Sequence, residues 1–110
     1  MESNLAIDAL SALAQTTRLE AFRLLVRHEP GGLPAGDVAE ALETPQNTMS
    51  AHLAILARAG LVRGERRGRS IIYRADLDGF RALNLFLLKD CCAGSPAVCA
   101  PLIAELAPCC

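Results

Sequence analysis

The sequence predicts a mostly α-helical domain with one β-hairpin, in the order helix, helix, helix, helix, strand, strand, helix. Three observations predict it. Apolar residues recur at helical spacing as far as Ala59 and again from Leu77 to Leu88. Between these stretches, from Leu61 to Ala75, the texture becomes β-branched, aromatic and arginine-rich around Arg67-Gly68-Arg69, which reads as a hairpin with a basic tip. A length of 110 residues leaves room for one compact core and not for two.

Taken in order, Leu5, Ala9, Leu10 and Leu13 fall at helical spacing, so a short amphipathic helix ends near Ala14. A second helix opens on a capping box, with Thr17 accepting from the Glu20 amide while the Glu20 carboxylate reaches back. Its apolar stripe is Leu19, Phe22, Leu25 and Val26, and it ends before His28 because Glu29-Pro30-Gly31-Gly32 cannot continue a helix. Pro34 starts a third helix, Ala35 to Leu42. Thr44 is the expected N-cap of a fourth, running from Pro45 to Ala59, with Gly60 as the left-handed residue that stops it. Within it Met49, Leu53 and Leu56 face inward and leave Gln46, Asn47, Ser50 and Ala51 outward. After the hairpin, Asp76 caps a last helix whose apolar face, Leu77, Phe80, Leu83, Leu87 and Leu88, is wider than one small domain covers. With 52% hydrophobic residues overall, that surplus assigns the first and last helices to a homodimer interface. The expected division is a domain over 1–89 and a cysteine-rich tail over 90–110.

The formal net charge of −1 looks wrong for a polyanion binder until it is split along the chain. From Arg58 to Arg74 the arginines 58, 63, 66, 67, 69 and 74 face only Glu65, and the flanking segments are acidic. A basic stripe on an acidic body docks a polyanion in one orientation; the bland alternative is a solvated arginine-rich turn. No apolar run approaches the roughly 18 residues of a membrane span, and Met1-Glu2-Ser3-Asn4 lacks the start of a signal peptide, so a cytoplasmic protein is expected.

A short helix, a tight turn and a second helix with small polar residues at its exposed start suit a major groove about 12 Å wide. Gln46 and Asn47 carry amides that bond adenine bidentately, and Thr48, Ser50 and His52 reach phosphates or bases beside Ala51. Arg67 and Arg69 on the hairpin tip reach phosphates or the minor groove. His52 has a second reading, as a partly buried histidine that pins the turn. The whole is a winged helix-turn-helix that binds double-stranded DNA.

Several runs carry a resemblance: Val38-Ala39-Glu40-Ala41-Leu42, Met49-Ser50-Ala51-His52-Leu53, Leu56 to Val62, and Arg67-Gly68-Arg69 with Tyr73. Over about residues 9 to 88 the chain resembles the arsenical-resistance repressor (ArsR/SmtB) family of winged-helix metalloregulators. The resemblance implies a homodimeric repressor that binds an operator palindrome and is released by an inducer. It does not supply the inducer site. The third helix lacks the cysteines that the best-known arsenite sensors of the family carry there, and the last helix has no histidine for the family's interfacial zinc site.

All five cysteines, 91, 92, 99, 109 and 110, fall in the tail. In a reducing compartment clustered thiols read as soft-metal ligands or redox groups rather than a disulfide framework. Cys91, Cys92 and Cys99 offer the three thiolates that trivalent arsenic or antimony favours, As(III) or Sb(III) being the expected inducer. Adjacent cysteines followed by a third after a short loop also resemble a subgroup of arsenite-responsive repressors in the family. Cadmium, lead and methylated arsenicals fit the same thiol count. Cys109-Cys110 is either an alternative ligand pair or a loose end. A thiol redox switch on the same scaffold is the rival reading, since Cys91 or Cys92 bridges comfortably to Cys99. A thiol enzyme is not expected: there is no Cys-x-x-Cys motif, no phosphate-cradling glycine loop, and no histidine or arginine within the cysteine run to lower a thiol pKa.

Overall fold

The computed structural model of the protein describes residues 1–88, 100–101 and 104–105. Its elements are α1 (Ser3–Leu13), α2 (Thr16–Arg27), β1 (Leu33–Pro34), α3 (Ala35–Ala41), α4 (Gln46–Arg58), β2 (Val62–Arg67), β3 (Ser70–Ala75) and α5 (Leu77–Leu88). This is the winged helix-turn-helix read from the sequence, with one strand more. The three strands form an antiparallel sheet in the order β1-β3-β2. The short β1 sets Leu33 opposite Tyr73 and Pro34 opposite Ile72. A proline at an edge carries no periodic signal, so nothing local marks this strand. The hairpin register runs from Val62 opposite Ala75 to Arg67 opposite Ser70. Its two-residue turn places Gly68 at φ +63°, the first loop position, where a type II′ turn requires a positive φ.

Ala21, Leu25, Val38, Met49, Leu53, Leu56, Leu61 and Val62 are at most 2% exposed and form the centre of the core. Met49, Leu53 and Leu56 face inward from α4, as their spacing predicts. The inner face of α1, in contrast, is Ala6, Ala9 and Ala12, while Leu5 and Leu10 stay outside. Alanines let α1 approach α2 and α4 closely, which turns the larger residues outward. On α2 the buried residues are Ala21, Phe22, Leu24 and Leu25, and Leu19 and Val26 remain exposed.

The helix starts differ from the expected caps. Gln15 is the N-cap of α2, its Oε1 accepting from the Arg18 amide at 2.8 Å. Thr17 is therefore already inside the helix, and the Thr17–Glu20 capping box does not form. Pro45, with extended ψ 141°, is the N-cap of α4 in place of Thr44. The Thr44 hydroxyl instead donates to the Leu42 carbonyl at 3.1 Å, holding the turn between α3 and α4. Pro34 likewise precedes α3 as its N-cap. Asp76 caps α5 as expected, Oδ1 accepting from the Gly79 amide at 3.1 Å.

Both helices of the reading motif end in the same six-residue closure. At α3, Thr44 N–H donates to Ala39 at 2.9 Å and Glu43 N–H to Glu40 at 3.2 Å; at α4, Leu61 donates to Leu56 at 3.0 Å and Gly60 to Ala57 at 3.1 Å. The left-handed residue is Gly60 at φ +80° in one and Glu43 at φ +51° in the other.

The start of α5 is fastened to the end of α4 through backbone. Asp76 N–H donates to the Leu61 carbonyl at 2.8 Å, and Gly79 packs so close to the Gly60 carbonyl that a Cβ would collide with it. Away from the core, Leu5, Ile7 and Leu10 on α1 and Leu85, Leu87 and Leu88 on α5 are exposed. Among the described residues no helix is long and apolar enough to cross a membrane.

Candidate nucleic-acid interface

With one side of α4 locked into the core, the remainder of its first two turns lies open. Gln46, Asn47, Thr48, Ser50 and Ala51 are all exposed around the fully buried Met49. Asn47 Oδ1 accepts from the Thr48 amide at 3.0 Å. The Gln46 amide packs over Gly36 of α3, which keeps the two helices of the motif close. Gln46 and Ser50 then line one wall of a cleft of about 270 Å³, with Arg69, Ser70 and Tyr73 of the wing on the other. Of the predicted residues, the structure thus brings Gln46, Ser50 and Arg69 to one open cleft, which Asn47, Thr48, Ala51, His52 and Arg67 do not line.

The wing arginines divide by their partners. Arg74 is held by Glu29 through two hydrogen bonds, Nε to Oε1 at 3.2 Å and Nη2 to Oε2 at 2.9 Å, with Glu65 3.8 Å from Nη1. The hydrogen bond and charge of Glu29 raise the Arg74 pKa above its ordinary value. Arg74 therefore ties the base of the wing to the loop after α2 rather than facing a ligand. Arg67 pairs with Glu65 at 3.2 Å, and Arg63 lies 3.9 Å from Asp76. Arg66 and Arg69 have no ion pair among the described residues and are exposed.

Arg66, counted in the basic stripe but not among the expected DNA contacts, is a further free wing cation among the described residues. It pairs across the hairpin with Ile71, two positions from the Gly64–Tyr73 pair, so it shares the sheet face of Ile71 and Tyr73, both of which line the cleft. Arg67 points to the opposite face. Counting alternate positions from Val62 would have found this.

His52 is half-buried, its Nδ1 lying 3.4 Å from Nη1 of Arg18. The contact matches the reading in which this histidine pins the motif. Arg18, which the sequence reading also passed over, donates from Nε to the Ala12 carbonyl at 2.7 Å and so joins α1, α2 and α4.

The expected ligand set Cys91, Cys92 and Cys99, together with Cys109 and Cys110, lies outside the described residues. Among the described residues no group of three His, Cys, Asp or Glu side chains is placed to hold a metal ion.

Comparison with known proteins places this geometry. A helix-turn-helix domain family matches residues 13–65. HlyU, a transcriptional activator of Vibrio cholerae, is 35% identical over 94 residues, covering 84% of each chain. The solved structure of its reduced form has a TM-score of 0.62 at 28% identity, covering 76% of this chain and 85% of that one. NmtR, a transcriptional regulator of Mycobacterium tuberculosis, is 44% identical over 66 residues, 60% of this chain. That match spans 52% of NmtR, and matches to the mycobacterial repressor SmtB span 28% of its length. Among solved structures, the homodimeric winged helix-turn-helix DNA-binding domain of Mb0332 from Mycobacterium bovis has a TM-score of 0.65 at 29% identity, covering 77% of each chain. The antimony-specific transcriptional repressor AntR has a TM-score of 0.62 at 33% identity, covering 78% of this chain and 77% of that one.

Proposed function

The chain belongs to the ArsR/SmtB family of winged-helix transcriptional regulators, and from that premise we propose that it is a homodimeric, operator-binding repressor released by trivalent arsenic or antimony. The observation that carries the DNA half is the open cleft between Gln46 and Ser50 at the polar start of α4 and Arg69 of the wing. Gln46, Asn47, Thr48, Ser50, Ala51 and His52 enter the major groove, while Arg67 and Arg69, joined by Arg66, hold phosphates. Two copies meet through the exposed apolar faces of α1 and α5, on the surface that Leu5, Ile7, Leu10, Leu85, Leu87 and Leu88 leave uncovered. The unit over 1–89 reads DNA, and the tail over 90–110 takes the inducer in the cytoplasm.

The inducer half rests on donor chemistry. Cys91 and Cys92 come shortly after α5 in the sequence and Cys99 seven positions later, and three thiolates form the trigonal set that trivalent arsenic and antimony prefer. Similarity to the antimony-specific repressor AntR supports the same class. Ligation beside the dimer helix changes the separation of the two reading helices, which half-sites one turn apart require to be about 34 Å. A typical coupling between two sites gives a 5- to 150-fold loss of DNA affinity, in order of magnitude about 1 to 3 kcal/mol.

Fluorescence anisotropy with a duplex selected from a random pool tests the reading. Arsenite or antimonite is expected to release the wild type and to leave the Cys91→Ser, Cys92→Ser variant bound. Equal release of both refutes the site. The similarity to HlyU and the thiol-rich tail favour one second reading, a redox switch in which Cys91 or Cys92 bridges to Cys99. Release by peroxide and not by arsenite selects it.

A further inference from the structure

We propose that Arg18 is a positioning residue for the reading helix, fixing the His52 ring so that Nδ1 accepts and the N–H lies on Nε2, and His52 meets DNA as a hydrogen-bond donor. The second clause rests on α4 being the reading helix; the first does not.

Arg18 lies in the first turn of α2, where its amide is occupied by the Gln15 cap. Its guanidinium is fixed at one end by the Ala12 carbonyl, 2.7 Å from Nε. That bond orients the planar fork, and Nη1 then faces His52 Nδ1 at 3.4 Å. Both side chains are partly buried, which strengthens the contact relative to one in open water. A guanidinium carries donors only and keeps its charge. The nitrogen that faces it has to accept, so Nδ1 bears the lone pair and the ring proton sits on Nε2. The alternative tautomer would point one N–H at another.

The consequence falls on the outward edge of the ring. His52 follows exposed Ala51 and lies one helical turn after exposed Thr48, so the edge turned away from Arg18 is the one that can reach the groove. A fixed Nε2–H matches acceptors only: phosphate oxygen, guanine N7 or O6, or thymine O4. Without Arg18 the ring would present donor or acceptor indifferently, and the discrimination would be lost.

The chain has only two histidines, so ¹⁵N-histidine NMR of the full-length protein, with a His28→Gln variant to assign the signals, reads the tautomer directly. The wild type is expected to show His52 unprotonated at Nδ1 and protonated at Nε2. The Arg18→Met variant, which keeps an unbranched stem without the guanidinium, is expected to show a tautomer mixture. An Nδ1–H signal in the wild type overturns the proposal whether or not Arg18→Met folds, and so does a tautomer unchanged in Arg18→Met.

A DNA arm uses a duplex selected from a random pool by the wild type. His52→Gln, which keeps a donor near the Nε2 position, is expected to bind within about threefold of wild type, and His52→Asn to bind about tenfold more weakly. Arg18→Met is expected to weaken binding in the His52 background and to add little to His52→Asn, as coupled residues do. Wild-type binding by His52→Asn overturns the donor role of His52. Wild-type binding by Gln46→Ala, Asn47→Ala as well would instead remove α4 as the reading helix, so the two failures are separable.

Discussion

Replacing Glu43 with glycine is expected to stabilise the protein. The α3 and α4 closures are alike in hydrogen bonding, yet one carries glycine and the other glutamate at the left-handed position, φ +80° for Gly60 and φ +51° for Glu43. An L-residue in that region costs roughly 1–2 kcal/mol through the clash of its Cβ with backbone oxygen. Glycine escapes the clash but gives back about 0.5–1 kcal/mol through its greater freedom in the unfolded chain. The Glu43 side chain makes no hydrogen bond or ion pair among the described residues, so removing it breaks no contact there. The net gain is about 0.5–1 kcal/mol, a rise in melting temperature of about 2–8 °C for a domain of this size. Gly60→Ala is the converse. A Cβ there meets no atom within 4 Å, so the change reports backbone strain less the freedom alanine gives up in the unfolded chain, and is expected to lose about 0.5–1 kcal/mol. Glu43→Ala keeps the Cβ and the strain, and separates relief of φ from loss of the carboxylate. Urea denaturation of all variants at one protein concentration measures these differences without interference from dimer dissociation. If Glu43→Gly and Glu43→Ala shift the midpoint equally, or Gly60→Ala leaves it unmoved, the left-handed positions store no strain and the reasoning fails.

Leu53→Ala, at a position 0% exposed in the centre of α4, is expected to cost about 2–5 kcal/mol in urea denaturation, and a loss under about 1 kcal/mol contradicts the packing. Asp76→Ala removes the α5 cap and should cost about 1 kcal/mol, with Asp76→Asn retaining most of it. Gly79→Ala sets a methyl group against the Gly60 carbonyl, so it should lower stability more than an ordinary glycine-to-alanine change in a helix, which gains roughly 0.5–1 kcal/mol; a net gain would contradict the contact. Arg66→Gln and Arg69→Gln are each expected to reduce the slope of log affinity against log salt by about 1, without changing base preference in a selected duplex. An unchanged slope in both places the phosphate contacts elsewhere.

The inward face of α4 was legible because it is a local property. Met49, Leu53 and Leu56 repeat at a spacing that only one helical face satisfies, and the core accepts them without rearrangement. The inward face of α1 was less so. Periodicity locates a face by its large apolar residues, but the close approach to α2 and α4 selects Ala6, Ala9 and Ala12 and leaves Leu5 and Leu10 for another surface. The caps failed for a related reason. Thr17 and Thr44 have the right chemistry, but Gln15 and Pro45 have the right backbone, and the cap belongs to whichever residue precedes the first helical dihedral.

Charge shows the same division between local pattern and distant partner. A count of arginines from Arg58 to Arg74 treats all of them as equivalent, and the hairpin alternation sorts them only by face. Partners sort them further. Arg74 is committed to Glu29, 45 residues away in sequence, so its charge holds the wing to the body and leaves the polyanion to others. Arg18 lies outside the basic run altogether, yet it reaches the half-buried His52 across 34 positions. The proposed DNA surface is therefore not the arginine-rich stretch as written, but the part of it left over when tertiary ion pairs are subtracted, joined to the polar start of α4. The fastening of α5 to α4 extends the same logic: the Asp76 amide on the Leu61 carbonyl and Gly79 against Gly60 join them backbone to backbone. The start of α5 and the end of α4 are thereby held together without a side-chain intermediary.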